Sequence, residues 1–106
     1  MTKYRDIYCG KISEADIDKK YKTSGWVENI RDHGGIEFVD LRDETGTLQL
    51  VSDDVDIFKG LTKESVITVT GIVRKRSEED YNERIATGKL ELVVEELEVI
   101  SKAKTL

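Results

Sequence analysis

The sequence predicts an all-β fold, a closed five-stranded barrel with one short helix between the third and fourth strands. Apolar and polar residues alternate with a period of two over most of the chain, which is typical of half-buried strands. The 106 residues include no proline, so glycine, asparagine and aspartate must form the turns. A chain of this length forms one domain around a single core, and its strong patterning argues against disorder.

The first three strands are predicted to follow one another through short turns. Alternation indicates a first strand over residues 21–31, and the Asp-His-Gly-Gly sequence after it is a turn signal. A second strand is predicted over residues 36–42 and a third over residues 47–51, with a turn at 44–46 between them. Consecutive strands joined by short turns favour a β-meander.

The pattern changes after the third strand. Val55, Phe58 and Leu61 recur at helical spacing, and the serine and aspartates before them can cap a helix. A short helix is therefore predicted within residues 53–63, where it would plug one end of the sheet. Far upstream, the sequence from Ser13 to Asp16 resembles a capping box that opens one helical turn.

Two more strands complete the predicted sheet. The longest alternating segment, residues 65–76, is the fourth strand, and a polar loop over 77–88 follows it. The fifth strand is predicted over residues 90–94, and it can continue to residue 100 after an irregularity at Glu95-Glu96. Three strands, a short helix and two strands is the order of the OB-fold, a Greek-key barrel. The main alternative is an open five-stranded sheet with one helix; closure is favoured because it removes exposed strand edges.

Composition and charge exclude several kinds of site and function. The formal net charge is −5, from 17 basic and 22 acidic residues, which argues against binding nucleic acid by bulk charge but leaves room for a local site. A single cysteine excludes an internal disulfide, and one histidine with one cysteine leaves no Cys/His zinc cluster. The sequence contains no secretory or membrane-spanning segment and no catalytic motif, so we expect a cytoplasmic protein with no catalytic or metal site in this chain.

Alternation also predicts which side chains face outward. Leu48 and Leu50 on the third strand face the core, so Gln49 faces outward between them. By the same reasoning Phe38 and Glu91 lie on the polar side of their strands. Phe38 is either a partly covered residue packed under a loop or a platform on which a nucleobase stacks, with the glutamine and glutamate reading base edges. The pattern leaves both readings open.

Longer blocks of sequence resemble a known family. SGWVENIRDHGGIEFVDLRDETGTLQLV at 24–51 resembles the N-terminal domain of bacterial-type aspartyl-tRNA synthetase, and so do ITVTGIVRKR at 67–76 and NERIATGKLEL at 82–92. The opening YCG and the block EELEVISKAKTL at 95–106 also fit, so the resemblance covers essentially the whole chain. It implies an OB-fold that binds the anticodon loop of tRNA-Asp. Residues 1–106 would then be one anticodon-binding domain, the N-terminal part of a longer synthetase whose catalytic domain is absent.

The resemblance also implies roles for individual residues. Phe38 corresponds to the residue that stacks on the middle anticodon base, and Gln49 to the one that contacts that uridine. Glu91 corresponds to the acid that reads the third base, a cytosine. The implied anticodon-binding residues are Arg31, Phe38, Gln49, Arg74, Arg76, Asn82 and Glu91.

Some positions depart from the family pattern. The family usually has two arginines directly before Arg31, whereas Asn29 and Ile30 stand here, and Tyr81 and Glu83 flank Asn82 in place of a small residue and a proline. Fewer arginines mean fewer phosphate contacts, so we expect weaker binding and a smaller salt dependence. The resemblance implies a homodimeric parent enzyme that uses ATP and magnesium, and the isolated domain can be a monomer without a cofactor.

Two other functions stay open on the sequence alone. The domain can come from a sister enzyme, either asparaginyl, lysyl or non-discriminating, because the anticodons share a central uridine. It can also be a free-standing OB-fold that binds single-stranded nucleic acid or protein, although a general nucleic-acid binder usually carries a broad basic groove.

Overall fold

The computed structural model describes residues 5–54 and 56–101. It contains five strands, which are β1 Lys20–His33, β2 Ile36–Asp43, β3 Gly46–Val51, β4 Val66–Lys75 and β5 Leu90–Ser101. The helices of the described residues are short 3-10 turns at Cys9–Lys11, Glu14–Asp16 and Glu78–Asp80. None of the described helices is long and apolar enough to cross a membrane. The five predicted strands are confirmed, including the continuation of the fifth.

The strands close into a barrel in the order β1-β2-β3-β5-β4, with β4 pairing back onto β1. β3 and β5 run parallel, and the other neighbouring pairs are antiparallel. This closed arrangement confirms the OB-fold and rules out the open sheet. Closure through the β3–β5 pair brings the two halves of the chain together on one surface.

The helix predicted between the third and fourth strands is wrong for the described residues. Residues 56–60 form turns in which the amide of Lys59 donates to the carbonyl of Asp56 at 3.0 Å. Gly60 adopts a left-handed conformation with φ of 83°, which ends a helical segment before a second turn can form. Phe58 is nevertheless buried in the core, so the segment does plug the barrel. Val55 lies outside the described residues.

The inward faces of the strands form the core, and they are the faces that alternation predicts. Leu41, Leu48, Leu50, Ile67 and Leu92 are fully buried. Burying a side chain of this size contributes about 1.5–3 kcal/mol relative to leaving it exposed. Because the core register is set on one face, the residues between these positions must face outward.

Three register shifts interrupt the pairing of the described strands, two between β4 and β5 and one between β1 and β2. On β5, Glu96 pairs with Thr70 and Val94 pairs with Gly71, which leaves Glu95 between them without a partner on β4. The predicted irregularity is therefore confirmed. Gly71 is required there because a Cβ atom would collide with the carbonyl of Val93.

On β1, the register shifts between Val27 and Asn29. As a result Asn29 pairs with Asp40, and Arg31 pairs with Phe38. Directly paired residues project from the same face of a sheet. The bulge therefore places the end of β1 on the same outer face as Phe38.

The segment before β1 is fastened to the barrel. The amide of Ser13 donates to the Asp16 carboxylate at 2.8 Å, which confirms the predicted capping box, although the turn it opens is a 3-10 helix. The amide of Cys9 donates to the buried Asp43 carboxylate at 2.7 Å. Burial raises the pKa of the Cys9 thiol to about 12, so this thiol stays protonated and packs as an apolar group.

Candidate nucleic-acid interface

The outer face of the barrel carries two neighbouring cavities. One, of about 440 Å³, lies between the β1–β2 hairpin and the β4–β5 loop, and the other is about 420 Å³. Both are lined by Phe38 and by Ile36, an exposed apolar residue at the start of β2. The remaining six residues implied by the resemblance line one cavity or the other: Arg31, Gln49, Arg76 and Asn82 the first, Arg74 and Glu91 the second.

A continuous chain of polar contacts crosses this face and takes one residue from each strand. Arg31 donates to Asp40 at 2.8 Å and to the Gln49 side-chain oxygen at 2.8 Å. Gln49 in turn donates to Glu91 Oε1 at 2.8 Å. Arg74 completes the chain, with its Nε at 2.8 Å and its Nη2 at 2.7 Å from Glu91 Oε2.

Strand pairing explains why these five side chains meet. Asp40 is directly opposite Gln49 on β2 and β3, and Gln49 is opposite Glu91 across the parallel β3–β5 pair. Arg74 is opposite Glu91 on β4 and β5. Paired residues on one face have their Cβ atoms about 5 Å apart, so their side chains reach one another without distortion.

Two outward-facing residues on this face are more deeply buried than outward positions on a strand usually are. Gln49 and Glu91 do lie on the outer side of their strands, yet they are only 2% and 6% exposed. Arg31 donates to the side-chain oxygen of Gln49, and Arg74 pairs with the carboxylate of Glu91. The side chains of both arginines remain partly exposed. A buried carboxylate and a buried amide are costly unless they are hydrogen-bonded, and here both are.

The Phe38 ring is half-buried at the boundary between the two cavities. The Arg31 guanidinium lies 5.7 Å from its ring centroid, within the range of a cation–π contact. The His33 ring meets it edge-on at 5.8 Å with an interplanar angle of 76°. A stacking role for Phe38 stays a prediction, and the ring borders space large enough for a nucleobase.

Arg76 is 5% exposed and is held by backbone carbonyls. Its Nε donates to Leu90 at 2.7 Å and its Nη1 to Asp80 at 3.1 Å, whereas its Nη2 is buried without a hydrogen-bond partner among the described residues. Burial lowers the pKa of this guanidinium, although the nearby Glu91 carboxylate opposes the shift. A buried cation with an unused donor fits a ligand rich in acceptors, such as a phosphate or a base carbonyl.

Asn82 stands on the β4–β5 loop at the outer wall of the first cavity. Its backbone amide donates to Gly88 at 2.9 Å, and its side-chain oxygen accepts from the amide of Arg84 at 3.0 Å. Gly88 is required at this close approach because a Cβ atom would collide with the carbonyl of Asn82. The ring of neighbouring Tyr81 lies 5.9 Å from the Lys89 ammonium.

Asp40 and Ile36 line or join this face but are not among the binding residues predicted from the sequence. Asp40 is two residues from Phe38, so period-two alternation already places both on one side of the strand. Alternation gives no sign, however, of the contact between Asp40 and Arg31. Ile36 carries no sequence signal, because an apolar residue at the start of a strand usually belongs to the core.

Three comparisons with known proteins agree on the family. A family model named tRNA anti-codon and described as an OB-fold nucleic acid binding domain matches residues 21–100. The aspartate–tRNA(Asp/Asn) ligase of Bifidobacterium longum is 43% identical over 106 residues, which are 100% of this chain and 18% of that protein. The ligase of the same name from Thermotoga neapolitana is 46% identical over 102 residues, 92% of this chain and 18% of that protein.

A solved structure gives the same picture. The asparaginyl-tRNA synthetase from Pyrococcus horikoshii superposes with a TM-score of 0.74 at 32% identity, over 92% of this chain and 23% of that one. The chain thus spans about one fifth of the length of the curated relatives it matches. Since the family model covers most of the sequence, the chain belongs to the tRNA anti-codon family of OB-fold nucleic acid binding domains.

Proposed function

We propose that this chain is the anticodon-recognition module of an aspartate–tRNA ligase and binds the anticodon loop of tRNA-Asp on its outer face. The observation that supports this is the convergence of all seven implied residues on two adjacent cavities that share Phe38. The aspartate–tRNA ligase relatives support the same assignment over the full length of the chain.

In this proposal the anticodon bases are splayed out, and the middle base stacks on Phe38. Base–aromatic stacking contributes about 1–3 kcal/mol and does not discriminate among bases. Arg76 Nη2 and Arg31 Nε, which have no partner in the part of the chain that the structure describes, belong to residues that line the same cavity. They can pair with carbonyl or phosphate oxygens of the bound loop.

Discrimination is assigned to the polar groups between the two cavities. An ionised Glu91 can only accept hydrogen bonds, so it suits the amino group of cytosine and opposes the carbonyl oxygen of uracil. Gln49 both donates and accepts, which suits the edge of the middle uridine. Each such contact discriminates by about 1–3 kcal/mol.

The parent protein is proposed to be an aspartate–tRNA ligase that uses ATP and magnesium in the cytoplasm as a homodimer. Residues 1–106 would be its N-terminal domain. A non-discriminating or sister enzyme is the second candidate, because the relatives are named ligases for tRNA(Asp/Asn) and the solved neighbour is an asparaginyl enzyme.

The test is the binding of the 106-residue chain to anticodon stem-loops that differ only in the loop, namely GUC, GUU, UUU and a scrambled sequence. We expect the tightest binding to GUC at both a low and a moderate salt concentration. Equal binding to GUC and GUU would favour the second candidate. Indifference to all four loops would contradict anticodon recognition and favour a free-standing OB-fold with another ligand.

A further inference from the structure

The Glu91 carboxylate is more fully engaged than a simple base reader would be. Its Oε1 accepts from Gln49, and its Oε2 accepts from Arg74 Nε at 2.8 Å and lies 2.7 Å from Arg74 Nη2. An ionised carboxylate offers about four acceptor sites. At least one acceptor site on each oxygen is therefore occupied before any ligand arrives.

We propose that Arg74 is a positioning residue that holds Glu91 so that its remaining acceptor capacity faces the third anticodon base. The inference rests on the proposed function. Without Arg74 the carboxylate could rotate and offer its oxygens in several directions. With Arg74 in place the carboxylate accepts a hydrogen from a base amino group, which cytosine has and uracil lacks at that position.

The exposed fractions of Glu91 and Arg74 support different roles for them, with Glu91 reading the base and Arg74 holding Glu91 in place. The Glu91 side chain is 7% exposed, whereas that of Arg74 is 51% exposed. Arg74 thus contacts the buried carboxylate while about half of its own side chain stays in contact with solvent. Both residues line the second cavity together with Phe38, so the held carboxylate lies next to the proposed stacking platform.

Arg76 cannot perform this task in the observed arrangement. It lies close enough to Glu91 to feel its charge, but its hydrogen bonds go to the backbone carbonyls of Leu90 and Asp80. It can help to compensate the buried carboxylate without orienting it. The orientation depends on Gln49 and on the two Arg74 nitrogens that lie within 2.8 Å of Oε2.

The competing role for an exposed arginine is a phosphate contact, and substitutions separate the two. We would measure the Kd of GUC and GUU stem-loops for the wild-type chain and for Arg74→Gln and Arg74→Lys. Lysine keeps the charge but lacks the planar fork that places two donors on one oxygen. We therefore expect both variants to lose about tenfold of the GUC-over-GUU preference, mainly through weaker GUC binding.

The matched control is Lys20→Gln, which removes the same charge from another exposed ion pair, the one with Glu95. It should leave the preference unchanged. Thermal unfolding by circular dichroism would confirm that all variants are folded.

A double-mutant cycle makes the test specific. If Arg74 acts through Glu91, then Arg74→Gln causes no further loss of preference in a Glu91→Gln background. Additive losses would overturn the proposal. A uniform loss for both loops, with a salt slope reduced by about 0.7 and full rescue by lysine, would also overturn it in favour of a phosphate contact. A wild-type chain without any preference would instead contradict the proposed function itself.

Discussion

Gln49 combines two tasks that usually fall to different residues. It lies between the core residues Leu48 and Leu50 and is 2% exposed, yet its amide joins Arg31 to Glu91. A leucine at this position would fill the space but remove the hydrogen bonds to Arg31 and Glu91, and the loss at the buried Glu91 carboxylate would cost about 1–3 kcal/mol. On this face, therefore, stability and the proposed recognition of the anticodon depend on the same hydrogen bonds.

Phe38 provides the prediction at the scale of one residue. We expect Phe38→Ala to weaken binding of GUC and GUU stem-loops alike by about 1–3 kcal/mol, because stacking does not discriminate among bases. Titration by fluorescence anisotropy would measure both affinities. Phe38→Tyr keeps a ring and should retain binding, whereas Phe38→Leu keeps only apolar bulk and should not. A leucine variant that binds as tightly as wild type would show that the ring is not a stacking platform.

Short elements outside the barrel depend on a few buried polar contacts. Asp43, at the end of β2, accepts hydrogen bonds from the amides of Cys9 and Thr45 at 2.7 and 2.8 Å and from the Thr45 hydroxyl at 2.6 Å. Glycine is required at position 10, next to this turn, because a Cβ atom would collide with the carbonyl of Thr45. This carboxylate therefore joins the first 3-10 helix to the β2–β3 turn.

The pKa of Asp43 leads to the prediction at the element scale. Burial acts to raise this pKa, but the hydrogen bonds from Thr45 and Cys9 outweigh burial and hold the pKa below its usual value. A carboxyl with a lowered pKa in the folded state stabilises the fold at neutral pH. That contribution is lost as the pH falls below about 3.9 and through the lower folded value.

We expect Asp43→Asn to reduce the free energy of unfolding at pH 7 by about 1–3 kcal/mol. We also expect a shallower loss of stability below about pH 4 than in the wild type. Denaturant unfolding from pH 7 down to the acid limit would measure both effects. Asp53→Asn, at an exposed position in the loop after β3, is the control. An Asp43→Asn curve that stays parallel to the wild-type curve at acid pH would contradict the assignment.

At the scale of the whole molecule, the protein is acidic while its proposed ligand is an anion. Its net charge is −5, and two of the arginines on the outer face are already paired with Asp40 and Glu91. Long-range attraction to a phosphate backbone is therefore weak. Affinity would have to come from short-range stacking and hydrogen bonds, with a small salt dependence.

Asn29 allows this charge argument to be tested. It lies on the same face as Arg31 because the bulge on β1 pairs it with Asp40. We expect Asn29→Arg to tighten binding of the GUC stem-loop and to steepen the salt slope by about 0.7, the effect of one added phosphate contact to a single strand. Glu44→Gln changes the net charge equally, at the exposed β2–β3 turn, and should have little effect. Equal gains in both variants would mean that bulk charge matters more than position.

Local pattern was sufficient for most of the architecture. Period-two alternation located five strands, their inward faces and the irregularity on β5, because burial on one side of a sheet imposes that period wherever the strand runs. It failed between β3 and β4, where the spacing of Val55, Phe58 and Leu61 fits a helix as well as successive turns. The left-handed conformation of Gly60 favours turns over a helix. This backbone angle cannot be predicted from the neighbouring residues.

The polar chain across the outer face could not be read from local pattern. Gln49 and Glu91 are 42 positions apart and meet only because β3 pairs in parallel with β5 when the barrel closes. Alternation in the sequence predicted that both side chains lie on the outer side of their strands. Closure of the barrel buries these two side chains against each other, where Arg31 and Arg74 hold them, since only the closed barrel brings polar side chains from all five strands onto one face.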